Sequence, residues 1–363
     1  MADIVLFGAT GYTGRLTAEA LARRGLDFAI AGRSAAKLEA LASATGGPDV
    51  HLAEVGDVDA LANALEGARV LVTCVGPFSS LGWTAAEAAL RAGVHYVDST
   101  GEGTFVHELI ERHHEPARAA GIAMCPSMGF DEVPSDVAVS LAVEDMDEPD
   151  VIVTFAAPSS GSQGTIRSAL GTLTSSGWRV EGGRLAETTT GQRDRWAPLP
   201  PPLGVRRSVN APLSIGRIAP MHLDLHSLDV FMTTAEPQRV AVKVGLPLAK
   251  VALSTAAGRS LAETVIGRLP EGPGPKGRAK KWTVMAEARA GGTWRNVVVT
   301  GEDVYGLTGD LLASAAERLC AGTTGAGVLA PVAAMGLDWL QKELTDRGVS
   351  VDVYGVDAAG RGD

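Results

Sequence analysis

The sequence predicts an α/β fold: a doubly wound parallel sheet at the N-terminal end, followed by a mixed α/β segment and closing helices. Short apolar runs alternate with amphipathic stretches through the first 125 residues. A glycine-rich turn stands between the first run and the first helix, and the pattern changes to hairpin-like strands after Pro149.

The first run, Ile4-Val5-Leu6-Phe7, is followed by helical periodicity over 13–24, and Phe28-Ala29-Ile30-Ala31 with a helix over 35–45 repeats the unit. Val50-His51-Leu52-Ala53 precedes a helix over 58–65, and Val70-Leu71-Val72-Thr73-Cys74 precedes one over 84–92. His95-Tyr96-Val97-Asp98, a helix over 105–120 and Ile122-Ala123-Met124-Cys125 complete the series. Strands separated by helices pair in parallel, because the crossover returns the chain to the same edge of the sheet. Beyond Pro149, Val151-Ile152-Val153-Thr154-Phe155 reads as a strand, 165–174 as a helix, and the stretch holding Pro198, Pro200, Pro201 and Pro202 as an irregular connection. His222 and His226 fall in an alternating segment that reads as strand and needs no ligand. Residues 282–290 and 293–300 read as a hairpin around Gly291-Gly292, since both turn positions must accept a positive φ. Helices over 307–319 and 330–347 follow, and 357–363 reads as a frayed tail.

Composition excludes several function classes. The chain has 363 residues, 45% of them hydrophobic and 20% charged, which suits a folded protein with a substantial core. Its net charge of -10 gives no general attraction to nucleic acid or anionic lipid, so any anion site must be local. Cys74, Cys125 and Cys320 are widely spaced and odd in number, which argues against a disulfide framework or a structural zinc. No apolar run is long enough for a membrane span, the first residues lack a secretion signal, and a cytoplasmic location is expected.

Gly8-Ala9-Thr10-Gly11-Tyr12-Thr13-Gly14 lies between strand and helix, the context that makes a glycine pattern a dinucleotide fingerprint of the Rossmann type. Gly8 permits the tight turn, Gly11 lets backbone approach a pyrophosphate, and Gly14 lets the helix pack on the sheet, while the helix N-terminus favours the phosphates. The second strand ends in Gly32-Arg33-Ser34, with Lys37 one turn later and no acid to receive a ribose 2′-hydroxyl. Arg33, Ser34 and Lys37 therefore suit a 2′-phosphate, and the expected cofactor is NADP(H). Val75, Gly76 and Pro77 leave the fourth strand where the nicotinamide half should pass, as Ser99 and Thr100 leave the fifth.

These motifs, with the segments 95–102 and 129–136, resemble the saccharopine dehydrogenase-like oxidoreductases, and within them the branch of trans-acting enoyl reductases. Further matches are the segment 160–166, Gly272-Pro273 before Trp282, Tyr305-Gly306-Leu307-Thr308, and Gly327 to Pro331. The resemblance implies a Rossmann domain over 1–149, a mixed α/β substrate or dimerisation domain over 150–306, and helices over 307–356 returning to the first domain. It also implies NADP(H), a small-molecule or carrier-bound acyl substrate, and a homodimer.

Hydride transfer needs the nicotinamide held against an acceptor and usually a proton donor nearby. No tyrosine has a lysine four residues on, so a Tyr-Lys mechanism is unsupported. Asp131 is the first candidate, matching an acid beside the substrate in saccharopine reductases, although it or Ser135 could instead cap the next helix. Ser127 adds a hydroxyl near the same strand end, and Tyr305 offers a phenolic proton or a packing surface. His107, Glu111 and His114 share a helical face without the order of a metal motif, and no metal is expected. Lys276, Arg278, Lys280 and Lys281 form either a solvated loop or a contact for a phosphopantetheine, coenzyme A or acidic carrier surface. The expected reaction is reduction of a conjugated C=C on a polyketide or lipid chain. One alternative is C=N or amino-acid chemistry, which an arginine such as Arg167 or Arg217 would serve; the other is an NADP(H)-binding sensor or partner protein without turnover.

Overall fold

In the computed structural model, strands β1 (Ile4–Phe7), β2 (Phe28–Gly32), β3 (Val50–Leu52), β4 (Val70–Thr73), β5 (His95–Asp98) and β6 (Ala123–Cys125) form where the apolar runs predict them. The structure describes residues 2–158, 161–234, 251–322 and 325–356, so the expected tail and Ser160 lie outside the described residues. Helices α1 (Tyr12–Arg23), α2 (Ala35–Ala44), α3 (Val58–Ala64), α4 (Phe78–Leu81), α5 (Trp83–Ala92), α6 (Gly103–Ala120) and α7 (Val133–Ala142) connect or follow these strands. The chain divides into two units, Met1–Val133 with Asp303–Glu343, and Pro134–Glu302 with Leu344–Asp363.

In the first unit all pairings are parallel and the strand order runs β3-β2-β1-β4-β5-β6, with a seventh strand, β15 (Gly327–Val328), beside β6. The order reverses between β1 and β4, and a doubly wound sheet opens its ligand crevice at that reversal, beyond the strand carboxyl ends. Strands β1, β2 and β4 are buried along their whole length, which explains their continuous apolar runs. The helix Val304–Ala321 lies against α1: a Cβ on Gly309 would stand 2.9 Å from the Leu16 carbonyl carbon and 3.0 Å from the Thr17 nitrogen. Only a glycine lets the two backbones approach so closely.

The second unit holds a mixed sheet in the order β10-β11-β12-β7-β13-β14-β16. Its strands are β7 (Asp150–Ala156), β8 (Ser176–Glu181), β9 (Arg184–Thr189), β10 (Asp194–Pro198), β11 (Val205–Asn210), β12 (Ser227–Thr233), β13 (Lys281–Ala290), β14 (Thr293–Glu302) and β16 (Ser350–Val356), with β8 pairing β12 and β9. The expected hairpin forms with Ala290 opposite Thr293, and its turn residues Gly291 and Gly292 have φ of 53° and 89°. Gly301 admits the buried Trp282 ring, since a Cβ there would meet Cζ2 at 2.5 Å.

Three expectations differ from this structure. Residues 350–356, expected among the closing helices, form β16 against β14. Gly348, at φ 74°, ends the helix, and Val351 and Val353 then alternate with polar residues, a strand period. The single helix expected over 330–347 is two, Pro331–Met335 and Leu337–Thr345, parted at Gly336 with φ 85°. The segment holding His222 and His226 is not a strand: the turns Ile215–Ile218 and Ala219–Met221 precede His222, and β12 begins after His226.

Candidate cofactor and active site

The turn after β1 is shaped by what its glycines exclude. Gly8 has φ 79°, and a Cβ there would fall 2.6 Å from Val75 Cγ2. A Cβ on Gly14 would fall 2.2 Å from the Gly8 carbonyl oxygen, so α1 seats directly on the loop. Gly11 precedes α1 in extended conformation, and no side chain caps the helix. The first-turn N–H groups, from Tyr12, Thr13 and Gly14, have no acceptor within the helix by geometry, the property that suits a helix N-terminus to phosphate. Thr10 accepts the Arg15 guanidinium at its carbonyl, 2.9 Å away, which fixes the loop from the helix side. The residues present fit a diphosphate on observation of the loop alone.

At the end of β2, Arg33 and Lys37 are exposed and form no ion pair among the described residues. Ser34 precedes α2 without spending its hydroxyl on a cap. Two cations and a hydroxyl follow the strand end near which the adenosine ribose of a dinucleotide rests, and neither cation is paired with a carboxylate among the described residues.

The opposite half is built from the loops leaving β4, β5 and β6. Val75, Gly76 and Pro77 follow β4, with a cis bond between Gly76 and Pro77. Asp98, the last residue of β5, is fully buried; its Oδ1 accepts the N–H of Thr100 and of Ser127, both at 2.8 Å, and its Oδ2 accepts the Tyr96 hydroxyl at 2.6 Å. Burial pushes the Asp98 carboxyl up to about 6 despite these donors. The clamp holds Ser127 in a left-handed turn at φ 64°. Thr308 secures the next residues: its Oγ1 accepts the Phe130 N–H at 3.1 Å, and a Cβ on Gly129 would meet Thr308 Cγ2 at 3.1 Å and Ser99 Cβ at 3.7 Å. Asp131 then lies partly buried beside Gly101, its carboxyl pushed up to about 6 by desolvation. An acid with that value exchanges protons near neutral pH, as a general acid requires.

The family model for the saccharopine dehydrogenase NADP binding domain matches residues 4–125. That span contains the glycine loop, Arg33 and the walls after β4 and β5. The N-terminal domain belongs to that family. The chain is 40% identical over 143 residues to a Mycobacterium tuberculosis protein designated a trans-acting enoyl reductase. It is 38% identical over 144 residues to the trans-acting enoyl reductase of Mycobacterium leprae. Each alignment spans 38% of this chain and 34% of the relative, so the chain matches about a third of those proteins' length. The fold of the whole chain matches apo saccharopine dehydrogenase (L-Glu forming) from Saccharomyces cerevisiae, with a TM-score of 0.66 over 98% of this chain and 100% of the other, at 15% identity.

Within the NADP-binding domain's unit, Tyr305 lies at the start of the helix Val304–Ala321, buried, its ring edge-on to Tyr12 with centroids 5.0 Å apart. Ser127 is fully buried, and its backbone serves the Asp98 clamp. Cys74 beside the loop is not a thiolate nucleophile, because burial pushes its thiol up to about 12. His114 directs Nδ1 to the Val328 carbonyl at 3.2 Å, and no group of metal-binding side chains assembles among the described residues. In the other unit Arg167 is engaged by Glu263 at 2.9 Å and Arg217 is buried, while Lys276, Lys280 and Lys281 are exposed. The sequence reading missed the pair formed by His222 Nε2 and the fully buried Asp136, 2.8 Å apart, and the anchoring roles of Glu102 and Thr308. None had a local signal, because each partner lies tens of residues away.

Proposed function

We propose that the chain is an NADPH-dependent reductase of a C=C bond conjugated to a thioester carbonyl, acting on an acyl chain of polyketide or lipid type. The likeness of about 38% of the chain to trans-acting enoyl reductases is the observation that carries the reaction type. When bound, NADPH supplies the hydride. The glycine loop, Arg33 and Ser34 hold the phosphates, and the loops after β4 and β5 flank the reacting end. Asp131 holds a proton on its carboxyl and delivers it to the carbon left negative beside the carbonyl, being half protonated near pH 6. Arg167, already engaged by Glu263, is a poor carboxylate receptor for amino-acid chemistry. The exposed Lys276, Lys280 and Lys281 offer a cationic approach for a phosphopantetheine or acidic carrier in an otherwise acidic chain, which supports a carrier-bound acyl substrate.

The test follows NADPH absorbance at 340 nm with a 2-enoyl-pantetheine thioester, the same acyl group on a carrier protein, and a cyclic imine. Consumption with the enoyl thioesters and none with the imine is expected. Turnover of the imine alone would replace the reading with C=N chemistry, and tight NADPH binding without oxidation by any acceptor would replace it with a sensor.

A further inference from the structure

The wall after β4 is anchored by a residue that neither the cofactor contacts nor the proton transfer employs. Glu102 Oε1 accepts the Phe78 N–H at 2.8 Å, and Oε2 accepts the Ser79 N–H at 2.9 Å and the Ser79 hydroxyl at 2.6 Å. The Glu102 side chain is buried, and its backbone N–H donates to Thr100 Oγ1 at 3.1 Å. One carboxylate therefore joins the loop leaving β5 to the loop leaving β4, the two neighbouring strands whose ends frame the nicotinamide half of a dinucleotide.

Three donors converge on this side chain, and a carboxylate satisfies all three because it is purely an acceptor. A glutamine of the same shape would turn an amide N–H toward a backbone N–H. Behind the wall there is no slack. A Cβ on Gly82 would fall 2.8 Å from the Phe78 carbonyl oxygen and 2.9 Å from the Phe105 ring, and Phe105 in turn packs on Phe78 and Trp83 at centroid distances of 5.7 and 4.9 Å. Val75, Gly76 and Pro77 thus hang between the end of β4 and a fixed point, clamped in front by Glu102 and backed by aromatic rings. The glycine loop and Arg33, at the ends of β1 and β2, would serve the phosphates and the adenosine ribose.

We propose that Glu102 is the positioning residue for the nicotinamide half of the cofactor, holding the wall of residues 75–79 in its binding conformation before the cofactor arrives. The inference rests on the NADP(H) reading of the domain and predicts that the two halves of the cofactor respond differently to a change at one buried acid. Its mechanism is preorganisation: a wall held in place spares the ligand the cost of ordering it.

The experiment compares wild type, Glu102→Gln and Glu102→Asp by titration with NADPH and, separately, with 2′,5′-ADP, which carries the phosphorylated adenosine but no nicotinamide. Glu102→Gln should weaken NADPH by about tenfold or more, the scale of losing a charge-assisted hydrogen bond, with 2′,5′-ADP unchanged within about twofold. Glu102→Asp, which keeps the charge on a shorter stem, should recover part of the loss if it reaches Ser79. Equal weakening of both ligands in both variants would mean that Glu102 merely supports the fold, and unchanged NADPH binding would remove the positioning role. If wild type bound neither ligand, the NADP(H) reading would fall and this inference with it, an outcome distinct from a variant that alone loses NADPH.

Discussion

The Asp131 carboxyl lies against the Gly101 backbone, so close that a Cβ on Gly101 would stand 2.8 Å from Oδ2. Gly101 thereby sets where the candidate proton donor rests. The obstacle is the end of a side chain and not backbone, so Gly101→Ala should displace the carboxyl at a stability cost of about 1 kcal/mol, the low end for overpacking. Turnover should fall by roughly tenfold or more, because a displacement of ~1 Å disrupts proton transfer, while NADPH affinity stays unchanged. Thermal melting, NADPH titration and steady-state rates measure the three quantities. Wild-type turnover in this variant would exclude Asp131 as the donor.

Asp98 makes stability depend on pH in a defined direction. Its folded-state carboxyl is raised to about 6 by burial, so between about pH 4 and 6 the folded chain keeps a proton that the unfolded chain has lost. Stability from this group is therefore full below the unfolded value and declines as pH rises through 6, by on the order of 3 kcal/mol. Asp98→Asn retains an acceptor for Thr100 and Ser127 and turns its amide N–H to the Tyr96 oxygen, so it should remove that decline. Asp98→Ala, leaving three buried donors unmet, should be destabilised at every pH. Urea unfolding of both variants at pH 4 and pH 7 separates these outcomes.

Arg33 is the residue proposed to set the choice of nucleotide. It stands exposed at the end of β2 without a competing carboxylate partner among the described residues. Arg33→Glu should shift preference from NADPH toward NADH by about 1.5–3 kcal/mol, since a forked cationic contact to phosphate is replaced by repulsion. Parallel titrations with the two nucleotides give the ratio, and an unchanged ratio would place the 2′-phosphate elsewhere.

The parts of this molecule legible in the sequence are those whose cause is local. The β1, β2, β4, β5 and β6 runs are apolar because both faces of a parallel sheet are covered there, and Gly8 and Gly14 are spaced for one turn. The hairpin at Gly182-Gly183 carries the same signal as that at Gly291-Gly292, with φ of 57° and 71°, yet its strands β8 and β9 are half exposed and mix Arg, Glu and Thr with apolar residues. Burial that weak leaves no clean period to read. At the site the limit was distance along the chain: Glu102 reaches Phe78 across 24 positions and Thr308 reaches Phe130 across 178. Such contacts follow from the strand order of the open sheet and from the packing of the helix Val304–Ala321, and have no signature in either segment alone. Asp131 was visible as an acid at a strand end, whereas its elevated carboxyl depends on burial that only packing supplies.

His222 and Asp136 offer a last test, independent of the cofactor. Burial alone would push the imidazole down, but the Asp136 carboxylate, hydrogen-bonded at 2.8 Å, overrides it and leaves His222 above its ordinary value. The folded state then binds the imidazole proton more tightly than the unfolded state. The pair's stabilisation is present in full below about pH 6.5, the free histidine value, and is lost as pH rises through the folded one. Asp136→Asn removes the charge and keeps the shape, so burial should take over and His222 should titrate below an exposed histidine. The imidazole C–H resonance followed by NMR from pH 4 to 9 gives the midpoint in each protein. A midpoint unmoved by the substitution would show that Asp136 does not set the charge of His222, and the stability of the two proteins should then respond to pH alike.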